Sequence, residues 1–451
     1  MKTYDLIVLG AGSGNSIPGG EVAHLRTAVV DPSRFGGTCL NRGCIPSKMF
    51  VVTADVARNA REAARHGVNA HLDGVDWKSV RDRVFGRIDP LHLAAVSYRQ
   101  ENGVDVYSGA ARFVSPKVLE VDGAQLTADQ IVVAVGARPV VPDLPGLDRV
   151  PFHTSDTIMR IDEVPESMLV VGGGFIAAEM GHVFEAFGAR VSIVQRGPRL
   201  LMAEDEAIST RFTELARDRF ELYLDSDVVA VEPRGGGVRA TVRGPGGDIY
   251  VDAAMLLLAA GRIPNTDLVD AAAGGLELDD HGHVRTDRYY RTSVPGVWSF
   301  GDAANHFQLK HMANAERRVL SHNLTHPDDL RPLTHTLVPH AVFGDPQVAS
   351  VGLTEQAARA AGTPYVVATR PFSETAYGWA LEDTTSFVKL VVDPTSRLLL
   401  GAHIIGPNAA ILIQPLLQAM TLGQTVDILA HDVLYIHPAL TEVLEQALLE
   451  A

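Results

Sequence analysis

The sequence predicts an α/β fold: two dinucleotide-binding βαβ units, then a separate C-terminal α+β domain. Three observations carry this. Asp5 to Asp31 reads as strand, glycine turn, helix, strand, with Gly10, Gly12 and Gly14 at the turn. Met168 to Gln195 repeats that grammar around Gly172, Gly173 and Gly174. Beyond Pro332 the pattern changes to short alternating strands and one long helix, which marks segregated α and β elements. One glycine fingerprint is a weak signal, but two in one chain, each flanked by apolar strands, are strong evidence for two Rossmann-like domains.

Composition agrees with a multidomain protein. At 451 residues the length suggests about three domains of roughly 150 residues each. An apolar content of 46% is enough for sizeable cores, and 41 glycines imply many tight turns. A formal net charge of −15 argues against nucleic acid as a partner. No apolar run reaches the roughly 20 residues of a membrane span. The opening segment, Met1 to Gly10, lacks the apolar stretch and cleavage site of a secretory signal. A reducing cytosol is the expected setting.

In the first unit, Gly10, Gly12 and Gly14 let backbone approach a pyrophosphate at a helix N-terminus, where N–H groups and the helix dipole favour anions. Asp31 ends the second strand, where an acid can bind a ribose hydroxyl. Asn15 occupies the third glycine position, with Pro18-Gly19-Gly20 close behind. Proline removes an interior hydrogen bond, so the first helix is expected to be short or broken. Next comes the run Gly36-Gly37-Thr38-Cys39-Leu40-Asn41-Arg42-Gly43-Cys44-Ile45-Pro46-Ser47-Lys48, which holds the chain's only 2 cysteines. Closing so short a loop stabilises a fold little, so the pair reads as a redox dithiol. A bridge would need Cα atoms roughly 4.4–6.8 Å apart, which places the pair in the first turn of a helix.

Two apolar runs ending in Gly-x-Arg or Gly-Arg, Ile131 to Arg138 and Met255 to Arg262, read as strands leaving their domains. Pro139, Pro142 and Pro145 mark a linker into the second unit, and Pro264-Asn265 marks the return. Within the second unit Gly172, Gly174 and Ala177 are followed by Glu179. Its second strand ends at Gln195, not at an acid, with Arg196 and Arg199 close behind. Arginines beside a neutral residue favour the 2′-phosphate of NADP, so NADPH preference is expected. Val297 to Asp302 is another strand ending in an acid. The C-terminal strands are read as Ala341–Val351, Tyr365–Thr369, Phe387–Val392 and Leu398–Ile405, with a helix from Ala409. Near the end, His437-Pro438 precedes Glu442. An acid five residues on can hold one ring nitrogen, which is the logic of a base and its orienter. Other histidines, such as His311, His335 and His340, show no ligand spacing accompanied by cysteine, and no metal site is expected.

Taken together, these motifs resemble the pyridine nucleotide–disulfide oxidoreductases of the glutathione reductase and lipoamide dehydrogenase type, over essentially the whole chain. The resemblance rests on the 36–48 run, the second fingerprint with Glu179, Gly261-Arg262-Ile263-Pro264-Asn265, Gly301-Asp302, and His437-Pro438 with Glu442. It implies an FAD domain over 1–145 and 264–331, an NADPH domain over 146–263 and a dimerisation domain over 332–451. It also implies a homodimer, a small disulfide as substrate and assigned roles. Cys39 exchanges with substrate and Cys44 faces the flavin. Lys48 and Glu179 pair beside it, and Gly37, Thr38, Gly136, Gly261, Asp302 and His311 contact cofactor. His437, held by Glu442, serves the partner subunit's dithiol. Arg42 stands where the family has a small apolar residue; it either lowers a thiol pKa or faces solvent. Phe85 to Pro90, His153 to Thr157 and Ala376 to Ala380 are similar to the branch that reduces a sugar-bearing disulfide. Dihydrolipoamide dehydrogenase and glutathione reductase activities are the alternatives. A non-catalytic flavin-binding redox sensor is the reading from another class.

Overall fold

The computed structural model describes residues 1–333 and 337–451; His335 lies outside the described residues. The chain forms two units. The first comprises Met1–Ser47, Arg81–Val140 and Gly261–His335, the second Lys48–Val80, Val141–Ala260 and Thr336–Ala451. Among the described residues no helix is long and apolar enough to cross a membrane.

The first unit is organised by β1 (Lys2–Leu9), which lies parallel to β2 (Thr27–Val30) on one side and to Ala124–Val133 on the other. Asp105–Tyr107 continues the sheet beyond β2, and Val297–Ser299 pairs parallel to Ala124–Val133. Side chains alternate across a strand, and β1 divides accordingly. Ile7 and Leu9 join Val30, Ile131 and Val133 in one core, while Leu6 and Val8 join Val29, Trp298 and Phe300 in another. Both faces are covered, which is why β1 reads as a continuous apolar run.

The expected weakness of the first helix is borne out. The link from β1 to β2 contains only two 3-10 turns, Gly14–Ser16 and Gly20–Val22. Ile17 and Val22 still bury their side chains, at 1% exposure each. Arg99 replaces missing helical hydrogen bonds by donating to the Asn15 side chain at 3.0 Å, to the Pro18 carbonyl at 2.5 Å and to the Asn15 carbonyl.

In the second unit, five parallel strands run in the order Glu221–Tyr223, Arg190–Val194, Ser167–Val171, Met255–Leu258, His153–Thr154. A three-stranded antiparallel sheet (Asp227–Arg234, Gly237–Gly244, Gly247–Ala253) shares a core with them. The C-terminal part is a five-stranded antiparallel sheet packed on Ala409–Leu422 and Glu442–Leu449.

Two expectations about strands need correction. Ala341–Val351 is not one strand: His340–Val342 and Val348–Gly352 pair antiparallel, and the chain reverses through Asp345-Pro346. The two exit runs are also broken. Ala124–Val133 stops before Gly136, and Met255–Leu258 stops before Gly261, because both glycines take positive φ, 68° and 111°. Each glycine leads into a short strand, and these two strands pair antiparallel in the first unit, Ala137–Pro139 with Arg262–Pro264.

Candidate active site

The cysteines do not share the first turn of one helix. Cys39 lies within α1 (Gly37–Arg42), and Cys44 is the first residue of α2 (Cys44–Glu62). Gly43 separates them with φ −139° and ψ −121°, a conformation that ends α1. A Cβ at Gly43 would sit 2.9 Å from the Thr38 carbonyl oxygen, so the break is tight. The two thiols are not bridged; Cys39 is half-buried and Cys44 is exposed.

The Cys39 thiol is pushed well above the ordinary range, first by its hydrogen bond with Cys44 and then by burial, with the Lys310 charge acting in the opposite direction. Two coupled thiols share one proton problem: ionising either makes the second harder to ionise. Lys310 is itself held below its usual value by burial and supported by the cysteines. Its ammonium also donates to Ser13 Oγ at 2.8 Å. Sequence reading chose His311, which is exposed, and missed Lys310 beside it. Apart from the small number of lysines in the chain, nothing in the sequence marks it.

The glycine turn after β1 packs against this dithiol segment. A Cβ at Gly10, where φ is +102°, would lie 2.2 Å from the Ala134 carbonyl, and one at Gly37 would lie 2.6 Å from the Gly12 Cα. Thr38, next in the chain, is half-buried. Asp31 is not a solvated strand end. It is 7% exposed and accepts from the Ala11 N–H at 2.5 Å and from the Ser33 N–H and hydroxyl at 2.8 and 2.7 Å. This cradle of bare backbone with an inward carboxylate fits a dinucleotide.

Asp302 lies in the 3-10 turn Gly301–Ala303, where burial raises its carboxyl above the usual range. Glu316, which sequence reading missed, anchors that turn. Its carboxylate accepts from Gly301 N–H and Asn305 Nδ2, both at 2.8 Å. Burial pushes Glu316 up to about 7.

The second unit repeats the cradle. A Cβ at Gly172 would lie 2.3 Å from the Ala259 carbonyl, matching the Gly10 contact. Gly174 caps the Phe175–Ala186 helix without any side-chain cap bond and opens onto free space, leaving N–H groups for an anion. One turn along, Glu179 is 7% exposed; its Oε2 meets Lys48 Nζ at 2.7 Å and its Oε1 accepts the Phe343 N–H at 3.0 Å. Lys48 sits 4.1 Å from the centre of the Phe343 ring. Arg196 is exposed, whereas Arg199 pairs with Glu206 at 3.1 Å. The same unit holds His437, whose Nδ1 lies 2.7 Å from Glu442 Oε1. The imidazole is 73% exposed and the carboxylate 12%, an orienter set in protein behind a base that faces outward.

The model of the pyridine nucleotide-disulphide oxidoreductases matches residues 4–317, and the model of that family's dimerisation domain matches 338–448. The chain belongs to this family. As a member it is a disulfide reductase enzyme working with FAD and NADPH. It is 47% identical to a mycothione reductase of Mycobacterium tuberculosis (strain ATCC 25618 / H37Rv) over 460 residues, covering 100% of this chain and 99% of the other. A glutathione reductase of Burkholderia cepacia is 33% identical, covering 97% of each, and a dihydrolipoyl dehydrogenase of Bacillus subtilis (strain 168) is 31% identical, covering 98% and 95%. Among solved structures, the HOCl-induced flavoprotein disulfide reductase RclA from Escherichia coli aligns with a TM-score of 0.87 at 24% identity, covering 99% of both chains, which shows the shared fold.

Proposed function

We propose that this flavoenzyme reduces mycothione to mycothiol with electrons from NADPH. One observation carries the reading: full-length identity of 47% to a mycothione reductase, against 33% and 31% to relatives acting on other disulfides. A homodimer in a reducing cytosol is its proposed setting. FAD would lie along the first unit's cradle (Gly10, Gly12, Gly14, Asp31, Gly37, Thr38, Gly136, Asp302), and NADPH along Gly172, Gly174 and Arg196. The proposed domains are FAD over 1–145 and 264–331, NADPH over 146–263, and dimerisation over 332–451.

Bound FAD would supply the hydride-accepting chemistry and the two electrons that opening the Cys39–Cys44 disulfide requires. This chain's residues do the rest. Lys48, held by Glu179 and Phe343, would supply a fixed cation to the flavin chemistry. The Cys39 thiolate attacks one sulfur of the substrate and expels one thiol, leaving a mixed disulfide. Cys44 then attacks Cys39 and expels the second thiol, closing the pair. His437 of the partner subunit, oriented by Glu442, takes the proton of the Cys39 thiol and passes it to the first departing thiolate, then does the same between the Cys44 thiol and the second. The 73% exposure of His437 beside Leu434, at 97%, and Ile436, at 74%, supports this surface meeting a second copy.

The decisive assay is NADPH oxidation with mycothione, glutathione disulfide and lipoamide at equal concentrations. A kcat/KM for mycothione at least tenfold above the others is expected; preference for either alternative sinks the substrate assignment. Cys39→Ser should retain FAD and lose turnover, and retained turnover would overturn the role assigned to Cys39.

A further inference from the structure

Glu21, His322 and His326 converge in the first unit, away from the dithiol. One ligand atom of each lies within 4.8 Å of the others. The two histidines belong to the Lys310–Asn323 helix and the turn that continues it, four residues apart, so they share a face. Glu21 comes from the Gly20–Val22 turn, which exists because the first helix is broken.

The hydrogen bonds fix the tautomers. A backbone carbonyl only accepts, so a ring nitrogen touching one must carry the proton. His322 Nε2 donates to the Asp329 carbonyl at 2.9 Å, with Asp329 Oδ2 at 3.3 Å. His326 Nδ1 donates to the His322 carbonyl at 3.0 Å, and Thr325 Oγ1 lies 3.0 Å from it. Nδ1 of His322 and Nε2 of His326 therefore hold free lone pairs. Ligand histidines are typically oriented this way, with the second nitrogen committed to a carbonyl or carboxylate. Glu21 is exposed and makes no ion pair or side-chain hydrogen bond with the described residues, so its carboxylate is available.

We propose that Glu21, His322 and His326 bind a divalent transition metal of the zinc class and tie the broken first helix to the end of the Lys310–Asn323 helix. Two imidazoles and a carboxylate form a donor set suited to such ions. The rings lie stacked at 4.1 Å with 4° between planes. Nitrogen–metal bonds of about 2.0–2.1 Å require a side-chain rotation that opens this stack. The same helix already holds the segment at its other end, through Lys310 and Ser13. Roughly 18 Å of helix, at about 1.5 Å per residue, lies between the two anchors. The sequence suggested no metal because no cysteine accompanies the histidines; Glu21 is brought in by the fold alone.

The test is a Zn²⁺ titration of tag-free, FAD-loaded, oxidised enzyme against a chromogenic chelator. Oxidation removes the dithiol as a competitor. One Zn²⁺ per chain is expected, with affinity falling at least tenfold in both Glu21→Gln and His326→Gln. Glu21 is exposed, so its variant should fold, and the FAD content of each variant is measured as a check. Wild-type affinity in either variant, or no binding at 100 µM Zn²⁺, overturns the proposal.

Discussion

Replacing Glu316 by Gln should change how the protein's stability depends on pH. Glu316 is 2% exposed. Burial raises its carboxyl from 4.5 to about 7. Between those values the folded chain keeps a proton that the unfolded chain has lost. Unfolding then releases a proton, and stability falls as pH rises. Over about 2.5 pH units at ~1.36 kcal/mol each, the loss is about 3 kcal/mol. Gln carries no charge and escapes it. Its amide disturbs one of the two accepted bonds, from Gly301 or Asn305, at a pH-independent cost of about 1 kcal/mol. The variant should thus be slightly less stable near pH 4.5 and about 2 kcal/mol more stable at pH 8, with a crossover between. Urea unfolding at fixed excess FAD, followed by circular dichroism at several pH values, measures this. Parallel wild-type and variant curves would refute the reasoning.

Three more outcomes are expected. Arg196→Glu should lower the NADPH-to-NADH ratio of kcat/KM at least tenfold, since Arg199 is already engaged by Glu206; an unchanged ratio would clear Arg196 of any part in selecting the cofactor. Lys310→Met removes the cation that opposes the rise in Cys39, so iodoacetamide should alkylate the reduced enzyme several-fold more slowly at pH 8, and an equal rate would show that this charge does not reach the thiol. Glu179→Ala orphans the Phe343 N–H and removes the ion pair with Lys48, which should cost roughly 1–3 kcal/mol in urea unfolding, with Gln restoring part; an unshifted midpoint would contradict the pairing.

Much of this architecture was legible because its signals are local. A glycine that must pass a carbonyl at 2.2 or 2.3 Å, as Gly10 and Gly172 do, leaves a mark in the sequence at that position. Buried parallel strands read as apolar runs for the same reason. The dithiol and the His437–Glu442 pair were also visible, because each lies within a few residues. The errors came where one residue redirects the backbone: Gly43 splits the cysteine segment into two helices, and Asp345-Pro346 hides a reversal inside one apolar run. Lys310, Glu316 and Glu21 were illegible for a different reason. Their meaning is contributed by distant segments: the cysteines for Lys310, the Gly301 turn for Glu316, and the two histidines for Glu21.

The ribbon of Ala137–Pro139 and Arg262–Pro264 has an evolutionary consequence. With Val140 N–H bonded to the Gly261 carbonyl at 2.9 Å, the stretch from Val141 to Ala260 begins and ends at one point. For the first unit it is an insertion whose ends are already joined, and a short hairpin loop of about 2–5 residues could close the gap. The entropy of holding those ends together grows only logarithmically with length, about 0.6 kcal/mol per doubling. A lineage could therefore lengthen, trim or exchange the inserted stretch at little cost to the unit it interrupts.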